Sequence, residues 1–137
     1  MKTFISMCIG WISSLLLFLF GDVGVPFWVL LSLMCLDFIM GILMGFLNKS
    51  KKTNTGGLSS RVGLIGLVKK CLILVFVIVG HFMDVLLGFN YIQNIVIIGF
   101  SVNEIISLTE NASLMGLPLP NIIVKAIELL KEKENNE

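Results

Sequence analysis

Polar residues are so sparse in this chain that their positions divide it into segments. Apolar stretches run over residues 4–20, 25–47, 71–89 and 91–109. A bilayer core of about 30 Å is crossed by roughly 20 helical residues, with about 17–25 tolerated. Each stretch meets that requirement, the first only just. None shows the ten-residue alternation of a membrane barrel strand. The pattern predicts an all-α integral membrane protein with about four transmembrane helices. The runner-up has three crossings, with residues 4–20 lying in the interface.

The breaks between stretches carry their own signals. Gly21-Asp22-Val23-Gly24-Val25-Pro26 reads as a tight turn, with Pro26 suited to the first turn of the next helix. Residues 48–60 form the only long polar loop, and Gly88-Phe89-Asn90 is a very short third connection. Beyond Gly116-Leu117-Pro118-Leu119-Pro120, residues 121–133 recover a helical period. Ile122, Ile123, Ala126, Ile127, Leu129 and Leu130 form one face, and Lys125, Glu128, Lys131 and Glu132 the other. Asn121 is the expected N-cap. This predicts an amphipathic helix on the membrane surface or on a partner subunit. The organisation expected is a transmembrane domain over 1–120, then an amphipathic helix and charged cytoplasmic tail over 121–137.

Composition narrows the class further. Of 137 residues, 56% are apolar and 14% charged, against roughly 45–50% and 25% in soluble domains. Mean hydropathy is +0.97. So few charges cannot wet the surface of a small soluble domain. A soluble enzyme, a disordered chain and a disulfide-rich scaffold are excluded. Cys8, Cys35 and Cys71 each sit within an apolar run and read as packing residues. Lys2 and the following apolar stretch resemble a signal peptide, but Phe18-Leu19-Phe20-Gly21 offers no small-residue cleavage site. The segment is expected to remain as an uncleaved span.

Net charge is only +1, but its distribution is informative. Lys49, Lys51, Lys52, Arg61, Lys69 and Lys70 follow one another with no acid between them. They abut apolar spans, so lipid headgroups and topology explain them better than nucleic acid. By the positive-inside rule the loop 48–60 is cytoplasmic. Four crossings then put both termini on the cytoplasmic side, with Asp22 and Asn90 outside.

Three polar groups within the spans need partners, because a charge at mid-bilayer costs roughly 2.5–3.5 kcal/mol on insertion scales. Asp37 shares a helix face with Gly41 and Gly45. That small-residue seam permits close helix approach, either within one subunit or between copies. In the third span, Gly63, Gly66, Lys70, Val77, His81, Asp84 and Gly88 fall within about 40° of one line. His81 and Asp84 are i, i+3 neighbours able to pair with each other. A lone histidine is thin support for a metal site, and neither a metal nor a cofactor is expected. In the fourth span, Asn103, Glu104, Ser107, Glu110 and Asn111 cover roughly 120° of the helix. That stripe either packs inside one subunit or lines water once subunits assemble. Four short helices have little interior in which to hide three stripes, which favours a homo-oligomer. No nucleophile–base pair, phosphate-binding Gly loop or internal repeat is present, so no enzyme is expected.

At this point the chain resembles the toxin-secretion/phage-lysis holins of Gram-positive phages and clostridia. The matching features run in order over roughly residues 36–133. Asp37-Phe38-x-x-Gly41 comes first. A basic loop closed by Ser60 then leads through Gly63, Gly66 and Lys69-Lys70. Asp84 follows, then Asn103-Glu104-x-x-Ser107 and Glu110-Asn111. Gly116-x-Pro118-x-Pro120 precedes the Lys/Glu helix. The resemblance implies a protein that accumulates in the cytoplasmic membrane, self-assembles and opens lesions for an endolysin or toxin. It also implies a possible antiholin as partner. The other readings are a small ion or proton channel, a transporter subunit, an inhibitory antiholin and a membrane anchor.

Overall fold

A computed structural model describes residues 1–50, 57 and 59–135. Five helices account for nearly all of them: α1 (Lys2–Phe20), α2 (Val25–Phe46), α3 (Ser60–Leu87), α4 (Ile92–Leu114) and α5 (Asn121–Asn135). The described residues contain no strand. The first four helices are long and apolar enough to cross a membrane. The four-span expectation holds, with two shifts of boundary. α3 begins at Ser60 rather than Cys71, so Lys69 and Lys70 lie inside it. α4 continues to Leu114 rather than ending near Thr109. Both extensions are more polar than the spans proper, and hydropathy alone does not register a helix that outruns its apolar stretch.

The turns follow from local chemistry. At the end of α1, Gly21 has φ +67° and donates its N–H to Leu17 O at 2.8 Å. A Cβ there would also run into the His81 ring. Gly24 caps α2, and Pro26 sits in its first turn, where no intrahelical donor is lost. Gly88 ends α3 in the left-handed region (φ 70°), and the Phe89 N–H returns to Asp84 O at 2.9 Å. At the start of α5 the expected cap moves by one residue. Asn121 is already helical, and Pro120 O accepts the Ile123 N–H at 2.9 Å.

α4 is the hub, packing most extensively on α2 and next on α3, whereas α2 and α3 touch each other little. Phe27, Leu30 and Met34 of α2, Ile73 and Val77 of α3 and Ile97 of α4 form the buried core. α1 lies outside this three-helix unit and has no buried residue. It leans on α3 through Phe18 and Phe82, whose ring centroids are 5.8 Å apart. The Gln93 amide also donates to Phe20 O at 2.8 Å. α3 and α4 approach closely at Gly80, where a Cβ would stand 3.0 Å from Gln93 Cα. On α5, Ile127 is buried while Ile122 and Leu129 are exposed.

Candidate functional site

Where α2 and α3 separate over α4, three helices each contribute a charged side chain to one cluster. Lys70 Nζ donates to Asp37 Oδ2 at 3.0 Å and to Glu104 Oε2 at 2.6 Å. The other Asp37 oxygen accepts from Ser107 Oγ at 2.7 Å and from Asn111 Nδ2 at 3.1 Å. Side-chain exposure of the three charged groups is 12% for Lys70, 11% for Asp37 and 6% for Glu104. Charge-assisted bonds of this length are the strong kind, and their strength grows as the surroundings become less polar.

Helix geometry explains why these residues converge. Asp37 is twelve residues into α2 and Glu104 twelve residues into α4. At about 1.5 Å per residue both lie about 18 Å from the α1–α2 turn end. α3 runs the opposite way and brings Lys70 to the same level. Ser107 and Asn111 follow Glu104 at i+3 and i+7, so they stay on its face.

Two sequence expectations are corrected here. Lys70 does not stand at a headgroup boundary: its ammonium is the centre of the cluster. The local apolar window ends at the double lysine, so hydropathy placed both at the membrane boundary. The early start of α3 instead leaves Lys69 exposed and turns Lys70 inward. Nor does Asp84 take its hydrogen bonds from His81. Its carboxylate accepts the backbone N–H groups of Tyr91 (3.2 Å), Ile92 (2.9 Å) and Gln93 (2.9 Å). Through its side chain Asp84 caps α4, and through its carbonyl it closes α3. His81 instead faces Gly21, its ring tilted by 43° to that of Phe82.

Asp84→Ala removes three acceptor contacts from a helix N-terminus and is expected to loosen the α3–α4 hairpin by about 1–3 kcal/mol. Asp84→Asn should cost less, because one oxygen still accepts from Tyr91 and Ile92. His81→Ala should cost least. Detergent-induced unfolding of the purified variants measures the order. A His81→Ala loss equal to that of Asp84→Ala would restore the side-chain pair as the main contact.

The remaining predicted residues fall around the cluster. Gly41, Gly45, Asn103 and Glu110 border the same cleft. Gly45 is buried, but a Cβ at Gly41 would meet nothing within 4 Å. Gly41 therefore seats no neighbouring helix within the subunit, and that role belongs to Gly80. Lys49 Nζ reaches Met115 O, the C-cap carbonyl of α4, at 3.4 Å. Arg61 is exposed near the start of α3. Lys51 and Lys52 lie outside the described residues. Gln93 and Gly80 escaped the sequence reading. The signal available was a polar residue opening the fourth span and a glycine in mid-helix with no turn to explain it.

The family model of the bacteriophage holin family matches residues 14–132 of the chain. An uncharacterized protein of Halalkalibacterium halodurans is 35% identical over 124 residues, covering 86% of this chain and 87% of its own. An uncharacterized protein of Clostridium perfringens is 32% identical over 133 residues, covering 96% and 93%. A second protein of that species, described as an uncharacterized 14.9 kDa protein in the nagH 3′ region, is 33% identical over 125 residues, covering 90% and 89%. No solved structure matches the chain significantly.

Proposed function

The chain belongs to the bacteriophage holin family, and we propose that it assembles with copies of itself in the bacterial cytoplasmic membrane and opens lesions there. An endolysin or a secreted toxin then crosses to the cell wall. What carries this reading is the family match over most of a chain with four potential membrane spans. The polar cluster supports it, because the groups that could line water in an assembly are stored between helices of one subunit. Release requires exchanging those intrasubunit partners for water or for a second copy. Such a switch needs two arrangements of similar free energy. The lipid bilayer and the chain itself are the partners, and no chemical step is involved. The basic loop and both termini face the cytoplasm in this reading.

Expression in a bacterial host that holds a wall-degrading enzyme in its cytoplasm tests the proposal. Abrupt lysis is expected with the enzyme present, and growth arrest without lysis in its absence. Retention of both the enzyme and a folded reporter protein, with ions alone passing, would mean a channel instead. An inhibitory partner is the second reading. It is favoured by the inward turn of Glu104, Ser107 and Asn111, whose bonds to Lys70 and Asp37 hold them away from any rim between copies. A chain of that kind would delay lysis by another lesion former and cause none alone.

A further inference from the structure

Between α2, α3 and α4 lies a cleft of about 490 Å³ whose base is the Lys70 cluster. Ser50, Gly57 and Ser59 line it at the end that bears the basic loop. Asp37 lies nine residues from the loop end of α2, and Lys70 and Glu104 each lie ten residues from the loop ends of α3 and α4. At about 1.5 Å per residue the cleft therefore reaches roughly 14–15 Å inward, about half of a 30 Å hydrocarbon core. Below the Lys70 cluster no charged group among the described residues lines the cleft. Ile73 lines the cleft and belongs to the apolar cluster with Leu30, Met34, Val77 and Ile97. Ile97 in turn lines a second cleft, of about 420 Å³, at the opposite end. The apolar layer separates the two.

We infer that the first cleft is an aqueous vestibule, filled by water and open to small hydrophilic solutes from the basic-loop face only. Charge balance is the first reason. At the base of the cleft Asp37 and Glu104 share Lys70 between them, which leaves one formal negative charge in that cluster. Ionisable groups at that depth face a water-filled cavity or one another, because hydrocarbon does not solvate them. Size is the second reason. At about 30 Å³ per molecule in the liquid, the cleft holds a column of water rather than one or two bridging molecules. Its walls are the third, for Gly41, Gly63 and Gly66 present no side chain to fill it. Half of a permeation path thus exists inside one subunit, and the apolar layer is the part that must part. The inference concerns the single subunit and does not depend on lesion formation.

Cysteine accessibility tests it in a background where Cys8, Cys35 and Cys71 are replaced by alanine. Gly41→Cys and Ser107→Cys line the cleft, whereas Leu43 and Ile105 are exposed on the bundle exterior and do not. Leu43 lies nearer the loop end than Gly41, so depth alone would make Leu43→Cys the faster to react. The protein is reconstituted in phospholipid vesicles dilute enough to leave single subunits, and a membrane-impermeant methanethiosulfonate is added outside. Only the thiolate reacts, and hydrocarbon suppresses its formation, so the cleft cysteines should react at least about tenfold faster than Leu43→Cys and Ile105→Cys. Their labelling should stop at the same fraction as Lys49→Cys, which reports the loop face. Gly41→Cys reacting no faster than Leu43→Cys would mean that lipid fills the cleft and would overturn the inference. Complete labelling of both cleft positions from one face, with Lys49→Cys incomplete, would mean an open channel and overturn it equally. Neither result bears on whether assembled copies lyse cells.

Discussion

Lys70→Met is expected to be the most damaging single substitution in the membrane-embedded part of the chain. Its ammonium bonds Asp37 at 3.0 Å and Glu104 at 2.6 Å. Methionine keeps the length and loses the charge, which leaves two carboxylates facing each other between helices. Removing one partner of a buried ionic group costs about 3–5 kcal/mol, chiefly because the remaining charge is uncompensated. Water in the vestibule brings the expected loss toward the lower end of that range. Asp37→Leu should be milder. It forfeits the bonds from Ser107 and Asn111 but leaves Lys70 and Glu104 as a neutral pair. Adding Asp37→Asn and Glu104→Gln to Lys70→Met should recover most of the loss. Unfolding of the purified proteins by SDS in mixed micelles reads all four. Wild-type resistance in Lys70→Met, or no recovery in the triple variant, would refute the electrostatic account.

Glu104→Leu combined with Ser107→Leu is expected to abolish release of a folded cytoplasmic reporter while the protein still accumulates in the membrane as an oligomer. The single subunit should survive this change. Lys70 keeps Asp37 as its partner, Asn111 still donates to Asp37, and the cleft has room for the Ser107 replacement. Exchanging a buried polar group for a well-packed apolar one is often neutral or better. A wetted rim is different, since two leucines would turn its polar face toward hydrocarbon. Glu104→Gln retains hydrogen-bonding capacity and should release the reporter nearly as the wild type does. Time courses of reporter release after induction measure the three proteins together. Normal release by the double leucine variant would sink the assignment of this face to the rim and leave the family membership untouched.

Much of the architecture was legible in the chain itself, because it depends on quantities that are local. The apolar runs, the glycine and proline breaks and the switch to a 3.6-residue period near Asn121 specify the five helices. The bilayer cost of Asp37 and Glu104 marks both as groups that must find partners, whatever the fold. Sequence alone could not say which partners. Hydropathy set Lys69 and Lys70 side by side at a membrane boundary, yet a rotation of one residue along α3 leaves one exposed at the edge of the cleft and places the other between two carboxylates. His81 and Asp84 are neighbours by helical spacing, but the four-residue connection after Leu87 delivers the bare N–H groups at the start of α4 to the same carboxylate. A helix N-terminus offers several aligned donors at once, and that outcompetes a single imidazole. Which helices touch is a property of packing: α4 lies against both α2 and α3, while α2 and α3 touch each other little. Only that arrangement leaves a cleft with charges at its base, since the faces that line it come from three segments far apart in the chain.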